Sequence, residues 1–275
     1  MTVILLGEGN QVSKKKVGDI TLYYEEYGNG TPVILLHGLA GDCSAWAPQI
    51  KVLEKDYKVV PLDNRGAGRS SSPDYPYTTR LFAEDTIGLM DAIGITEPAH
   101  VIGRSMGGAI AQEMAINYPD RVRSMIITAS FGKLDRYGHR ILHNINEVVK
   151  AQGYMAAAQW QSLFFFPPPY FNENQPQMDQ FEKGVGITDR PVHGYTNSTH
   201  ACLMHDSLER LNQVKCPTLV LTGGEDVLCA VGPAKQIAER VPGCELKIYE
   251  GASHFFMTQC YEESMADIKK FLGSH

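Results

Sequence analysis

Gly103-Arg104-Ser105-Met106-Gly107 sets a hydroxyl between two glycines in the pattern G-x-S-x-G. A serine hydroxyl attacks a carbonyl only when a neighbouring base takes its proton, so the pattern needs a histidine and an acid within reach. The setting suits that chemistry. An apolar run at 101–102 precedes the pattern and a helix-forming stretch opens at Met106. A strand-to-helix turn this sharp leaves no space for side chains beside the serine, and Gly103 and Gly107 supply the room. Gly108 and Ala109 let the helix press onto the strands beneath it. The helix N-terminus then aims the Met106 backbone N–H at an oxyanion forming on the attacked carbonyl. Gly68-Arg69-Ser70 repeats the first three residue types without the second glycine or a helix, and is read as a loop.

Nine histidines compete for the role of base. His254 stands apart because Gly251-Ala252-Ser253-His254 directly follows the last apolar run, where a loop reaches the edge of a sheet. His100 precedes a strand, His275 is terminal, and His139, His143, His193, His200 and His205 fall in a separate aromatic region. His37 ends a strand before Gly38 and reads as structural, shaping a loop whose Leu39 N–H supplies a second oxyanion donor. For the acid, Thr222-Gly223-Gly224-Glu225-Asp226 follows the run 218–221 at the same edge, and Asp226 and Glu225 both qualify chemically. The order Ser105, Asp226, His254 along the chain is the order expected for this kind of turn.

The elements that must position these groups alternate along the chain. Runs with few polar breaks at 21–27, 32–36, 57–62, 100–102, 125–127, 218–221 and 246–249 read as strands, mostly buried on both faces. Helical patterns at 81–93, 106–117, 234–240 and 263–272 separate them, which predicts an α/β fold around a mainly parallel sheet with helices on both faces. The stretch 131–213 breaks the alternation. It reads as helices at 136–150 and 154–165 stopped by Pro167-Pro168-Pro169, and it holds 11 of the 25 aromatic residues. The expected organisation is a core of 1–130 and 214–275 with an inserted helical lid, or cap, at 131–213. Most lid aromatics are expected to form the lid's own core, with 160–171 the source of an apolar wall above Ser105; Trp160 is the residue to test there, though it reads first as a buried lid-core side chain.

Bulk composition narrows the rest. The chain has 275 residues, is 43% hydrophobic and 20% charged, and carries a net charge of −6. That balance suits a globular chain and offers no broad basic surface for nucleic acid. Lys14-Lys15-Lys16 reads as a solvated stretch or as edge-strand protection. The six cysteines show no C-x-x-C pairing, so free thiols in a reducing cytoplasm are expected. The short apolar run at 3–6 is not a signal peptide, and no segment approaches a membrane span. A cytoplasmic protein with no membrane partner is the expectation. No H-E-x-x-H, clustered Cys/His spacing or phosphate-cradling G-x-x-x-x-G-K occurs, so no metal or nucleotide cofactor is implied.

Together Leu36-His37-Gly38-Leu39, Asp63-Asn64-Arg65-Gly66-Ala67-Gly68-Arg69-Ser70, Gly103-Arg104-Ser105-Met106-Gly107-Gly108, Gly224-Glu225-Asp226 and Gly251-Ala252-Ser253-His254 resemble the α/β-hydrolase superfamily. More closely they resemble its small capped members: carboxylesterases, 3-oxoadipate enol-lactonases, aminoacrylate hydrolases and C–C bond hydrolases. The resemblance spans about residues 18 to 272 and is weakest in the lid. It implies Asp226 rather than Glu225 as the acid, and a structural role for the Asp63 loop, whose charges pair. Haloalkane dehalogenases and epoxide hydrolases carry Asp where this chain has Ser105, which excludes a carboxylate nucleophile. The expected activity is that of a serine esterase cleaving carboxylic esters through an acyl-enzyme, with neutral esters favoured because the lid lacks a cationic cluster. An enol-lactonase or C–C bond hydrolase is the alternative within enzymes. A ligand-binding receptor with an intact triad is the alternative of another class.

Overall fold

The computed structural model describes residues 11–275, so the apolar run at 3–6 lies outside the described residues. Strands β1 (Gln11–Val17), β2 (Ile20–Glu26), β3 (Pro32–Leu36) and β4 (Lys58–Asp63) open the chain, with α1 (Ala47–Leu53) between β3 and β4. Then follow α2 (Thr79–Ala92), β5 (Ala99–Arg104), α3 (Met106–Asn117) and β6 (Val122–Thr128). Five helices come next: α4 (Arg136–Gln152), α5 (Tyr154–Phe165), α6 (Pro168–Glu173), α7 (Gln175–Gly186) and α8 (Val192–Met204). The chain closes with β7 (Thr218–Gly223), α9 (Val231–Arg240), β8 (Glu245–Tyr249), α10 (Phe256–Gln259) and α11 (Tyr261–Ser274).

The strands form one sheet in the order β1-β2-β4-β3-β5-β6-β7-β8. From β4 onward every neighbour runs parallel, while β1 and β2 are antiparallel. Strand side chains alternate between two cores. Ile34, Leu36, Val101 and Ile127 join Phe82 of α2 and Ile110 of α3 on one face. Val33, Leu35, Ile102 and Ile126 join Leu53 of α1 and Ile268 of α11 on the other. This is the expected α/β fold, and the apolar strands are continuous because both faces are covered. Among the described residues no helix is long and apolar enough to cross a membrane.

Local rules explain the boundaries. Thr78 caps α2 by accepting from the Leu81 N–H at 3.0 Å, and Asp135 caps α4 through the Gly138 N–H at 2.8 Å. α3 is buried from Met106 through Ala115, as its small residues Gly107, Gly108, Ala109 and Ala111 allow. The structure adds elements that the pattern does not announce, among them β1, α1, α6, α7, α8 and α10. β1, not among the expected strands, is the sheet's edge and places Lys14-Lys15-Lys16 at an exposed margin, so of the two readings of these lysines the edge-strand one holds. The proline run ends α5 but also starts α6, because Pro168 at the first helical position loses no hydrogen bond. α7 and α8 arise where the polarity of 175–204 hides any helical period.

Candidate active site

Ser105 sits between β5 and α3 with φ 54° and ψ −117°. Positive φ in a residue other than glycine is costly and persists only where the surroundings impose it. Here the Ser105 N–H donates to the Thr128 carbonyl at 2.9 Å, and the Ser105 carbonyl accepts from Ser130 Oγ at 2.7 Å. The flanking glycines are required by close approach. A β-carbon at Gly103 would lie 2.2 Å from the Gly107 carbonyl oxygen, and one at Gly107 would lie 2.0 Å from that of Leu36. Ser70, in the decoy sequence, is instead a loop residue whose hydroxyl donates to the Asp63 carbonyl at 2.5 Å.

His254 and Asp226 come from the loops after β8 and β7. The loops are tied together by the Gly224 N–H to the Tyr249 carbonyl (2.9 Å) and the Glu225 N–H to the Ala252 carbonyl (2.8 Å). His254 Nδ1 lies 2.8 Å from Asp226 Oδ2. Asp226 Oδ1 accepts from the backbone N–H groups of Leu228 and Cys229 at 2.9 and 2.8 Å. Asp226 is buried and Glu225 is exposed. With Nδ1 engaged by the carboxylate, Nε2 is the ring nitrogen left for proton exchange. Ser105 and His254 line the same small cavity, with no direct hydrogen bond between Oγ and Nε2. Such contacts commonly tighten only when substrate binds.

Cys229 completes this cluster, and nothing in the sequence singles it out. One ligating atom each of Asp226, Cys229 and His254 lies within 4.8 Å of the others. Both Asp226 oxygens and His254 Nδ1 already have partners, so the trio reads as an acid–base pair with a thiol beside it rather than a metal centre. Burial, and then the Asp226 carboxylate, holds the Cys229 thiol well above the usual range.

The loop after β3 approaches from the other side: a β-carbon at Gly38 would lie 3.2 Å from Ser105 Cβ. Met106 follows Ser105 in sequence and Leu39 lines the same cavity, and neither N–H has a hydrogen-bond acceptor among the described residues. His37 is buried; its Nδ1 faces the Gly38 carbonyl at 2.7 Å and its Nε2 accepts from the Asn64 N–H at 3.0 Å. That pairing keeps Nε2 unprotonated, and burial lowers the ring's pKa below the usual value. Asp63 holds the Cys43 N–H at 2.7 Å and Arg69 Nε at 2.9 Å, while Arg65 pairs with Asp85 at 2.5 and 2.6 Å. The charged loop is thus a scaffold for the turn carrying Leu39.

A cavity of about 40 Å³ lies at Ser105 and His254, walled by Leu39, Leu142, Phe165 and Phe255. A larger one of about 380 Å³ adjoins it, sharing Leu39, Arg104, Phe165 and Phe255. Of the 160–171 stretch, Gln161, Phe165, Phe166 and Tyr170 line this space. Trp160 does not: it is 47% exposed, stacks on Phe164 at 6.2 Å, and lines an outer groove with Tyr137 and Arg140. Trp160 is therefore neither part of the wall above Ser105 nor lid core. Phe165 lies 4.7 Å from the His254 ring, centroid to centroid. The cation at the site is Arg104, contributed by the nucleophile turn itself and overlooked when only the lid is searched for basic residues.

The chain is similar to known hydrolases in sequence and in fold. The family model described as serine aminopeptidase, S33, matches residues 30–260. A protein of Azorhizobium caulinodans named "Putative carbamate hydrolase RutD" is 31% identical over 239 residues, covering 87% of this chain and 90% of its own. The 3-oxoadipate enol-lactonase 2 of Acinetobacter baylyi is 27% identical, over 86% of this chain and 87% of its own. The crystal structure of the enol-lactonase from Burkholderia xenovorans LB400 superposes with TM-score 0.87 at 24% identity, covering 95% of this chain and all of that one, which is a likeness of fold.

Proposed function

Because the chain belongs to the α/β-hydrolase family described as serine aminopeptidase, S33, we propose that it hydrolyses carboxylic esters through a Ser105–His254–Asp226 triad. Ser105 Oγ attacks the ester carbonyl carbon while His254 Nε2 takes the hydroxyl proton. Asp226 holds Nδ1–H and stabilises the imidazolium that results. The carbonyl oxygen becomes an oxyanion facing the Leu39 and Met106 N–H groups, whose preorganisation contributes about 3–4 kcal/mol per donor in serine enzymes. Collapse of the tetrahedral species expels the alcohol, protonated by His254, and leaves an acyl-Ser105. Water, deprotonated by the same nitrogen, then attacks the acyl carbon and releases the acid and the free serine. The helices between β6 and β7 act as a cap that walls the acyl site with Phe165 and Phe166.

The observation that carries this reading is the 2.8 Å contact of His254 Nδ1 with buried Asp226, on a ring that lines the same cavity as Ser105. The test is fluorophosphonate labelling of Ser105 combined with a panel of p-nitrophenyl esters. Labelling elsewhere, or no ester turnover, overturns it. The name of the Acinetobacter baylyi relative suggests a second reading in which the ester is a lactone. The same steps then open a ring, and the alcohol stays tethered to the acyl product. A panel that includes lactones separates the two.

A further inference from the structure

Arg104 has an unusual environment for a half-buried cation. Its guanidinium lies over the rings of Trp46 and Phe255, at 5.4 and 5.1 Å from their centroids. No carboxylate bonds it among the described residues. Other arginines of the core and its margins are paired: Arg65 with Asp85, Arg69 with Asp63, Arg121 with Asp91, and Arg210 with Glu113. Enclosure without a counter-charge lowers the Arg104 pKa to about 10, so the group stays charged at neutral pH. A half-buried charge with no protein partner leaves its donors open to the cavity, and a fixed fork of N–H donors suits one group above others, a planar carboxylate. The guanidinium lines both the cavity at Ser105 and the larger one beyond it. The acidic residue on those walls is Asp42, whose Oδ1 is occupied by the Ser44 N–H and hydroxyl at 2.9 and 2.5 Å.

We infer that Arg104 binds a carboxylate of the substrate, so that the ester or lactone cleaved at Ser105 carries a second, free carboxylate within reach of that guanidinium. The inference rests on the hydrolase reading above. It also bears on how the small and large cavities divide the work. The scissile carbonyl occupies the space at Ser105, and the chain bearing the carboxylate extends past Arg104 along Phe165 and Phe255 into the larger space. Aromatic walls take the methylene chain, while the one cation fixes its end. An arginine held between two rings gives up little side-chain freedom when it binds, which favours specificity from a single contact.

The experiment compares mono-4-nitrophenyl adipate with 4-nitrophenyl hexanoate, two esters of equal chain length that differ in the terminal carboxylate. Wild-type protein is expected to favour the anionic ester in kcat/KM by about tenfold or more. That ratio should fall about tenfold in Arg104→Gln and Arg104→Met and be largely retained in Arg104→Lys. A wild-type ratio of one or less, or equal losses on both esters in all three variants, overturns the inference and makes Arg104 a packing residue. A second arm needs no turnover. Calorimetric binding of adipate to Ser105→Ala should weaken about tenfold when Arg104→Gln is added, and dimethyl adipate should bind neither form more tightly than adipate binds Ser105→Ala. If Ser105→Ala retained hydrolysis, the triad reading would fail, while adipate binding would still decide the role of Arg104.

Discussion

At the scale of single residues, the strain at Ser105 and the isolation of its partners lead to sharp expectations. Ser105→Ala keeps the backbone bonds to Thr128 and Ser130, so folding should be unaffected. Turnover should fall by about 10⁶, as in serine enzymes that lose the nucleophile; initial rates on a p-nitrophenyl ester measure it, and more than a trace of activity refutes the assignment. Asp226→Asn should cost about 10⁴ in kcat because an amide favours the wrong histidine tautomer. Glu225→Gln, at an exposed side chain, should change kcat less than about threefold. Equal losses in the two variants would reverse the choice of acid. This scale was largely legible in the sequence, since glycine pairs, a strand end and a helix start leave visible signatures. Cys229 and Arg104 were not legible. A lone cysteine three residues after an acid has no signature, and the variable position before the serine is silent until its environment is seen.

At the scale of elements, the cap and the histidine loop are joined by one short bond. Ser253 Oγ lies 2.6 Å from the carbonyl of Phe165, the last residue of α5 and the one whose ring covers His254. Ser253→Ala leaves that buried carbonyl unpartnered, at a cost of about 1–3 kcal/mol. It should lower Tm and speed amide exchange at Phe165, Phe166, Tyr170 and Phe171 without abolishing fluorophosphonate labelling of Ser105; unchanged exchange would mean that the bond does not hold this segment. Trp160→Ala, at a side chain that lines neither cavity, should shift kcat/KM by the same factor for acetyl, butyryl and octanoyl esters. A chain-length-dependent change would place Trp160 in the substrate's path after all. Elements with a strong period were readable: β3, α3 and α5 begin and end at 32–36, 106–117 and 154–165 as the pattern predicts. α6, α7 and α8 were not, because short polar helices gain stability from packing on their neighbours and carry little periodic signal of their own.

At the scale of the whole molecule, parallel strands buried on both faces were readable as apolar runs, whereas the sheet's order was not, since pairing partners such as β2 and β4 lie far apart in sequence. The finished packing has a consequence for acid stability that no motif announces: it encloses neutral histidines between elements. His100 of β5 lies 2.7 Å from Ser124 Oγ on β6 and meets the edge of the Tyr57 ring. His205, just past α8, lies 2.8 Å from Thr79 Oγ1, and its Nε2 is buried without a partner among the described residues. Burial lowers each pKa to about 4. Glu113, 3.7 Å from His205, favours the charged ring, and Arg210 opposes it. In the unfolded chain both imidazoles titrate near ~6.5. Between that value and about 4, the unfolded state therefore binds more protons than the folded one. Stability must then fall as pH falls through this window, by about 1.4 kcal/mol per pH unit for each histidine, and the loss from these two groups levels off once the folded forms also protonate. Urea unfolding at pH 7, 6 and 5 tests this. His100→Gln and His205→Gln should each flatten the pH dependence by about that slope. Parallel curves for wild type and both variants would show that neither buried ring governs the acid sensitivity of the fold.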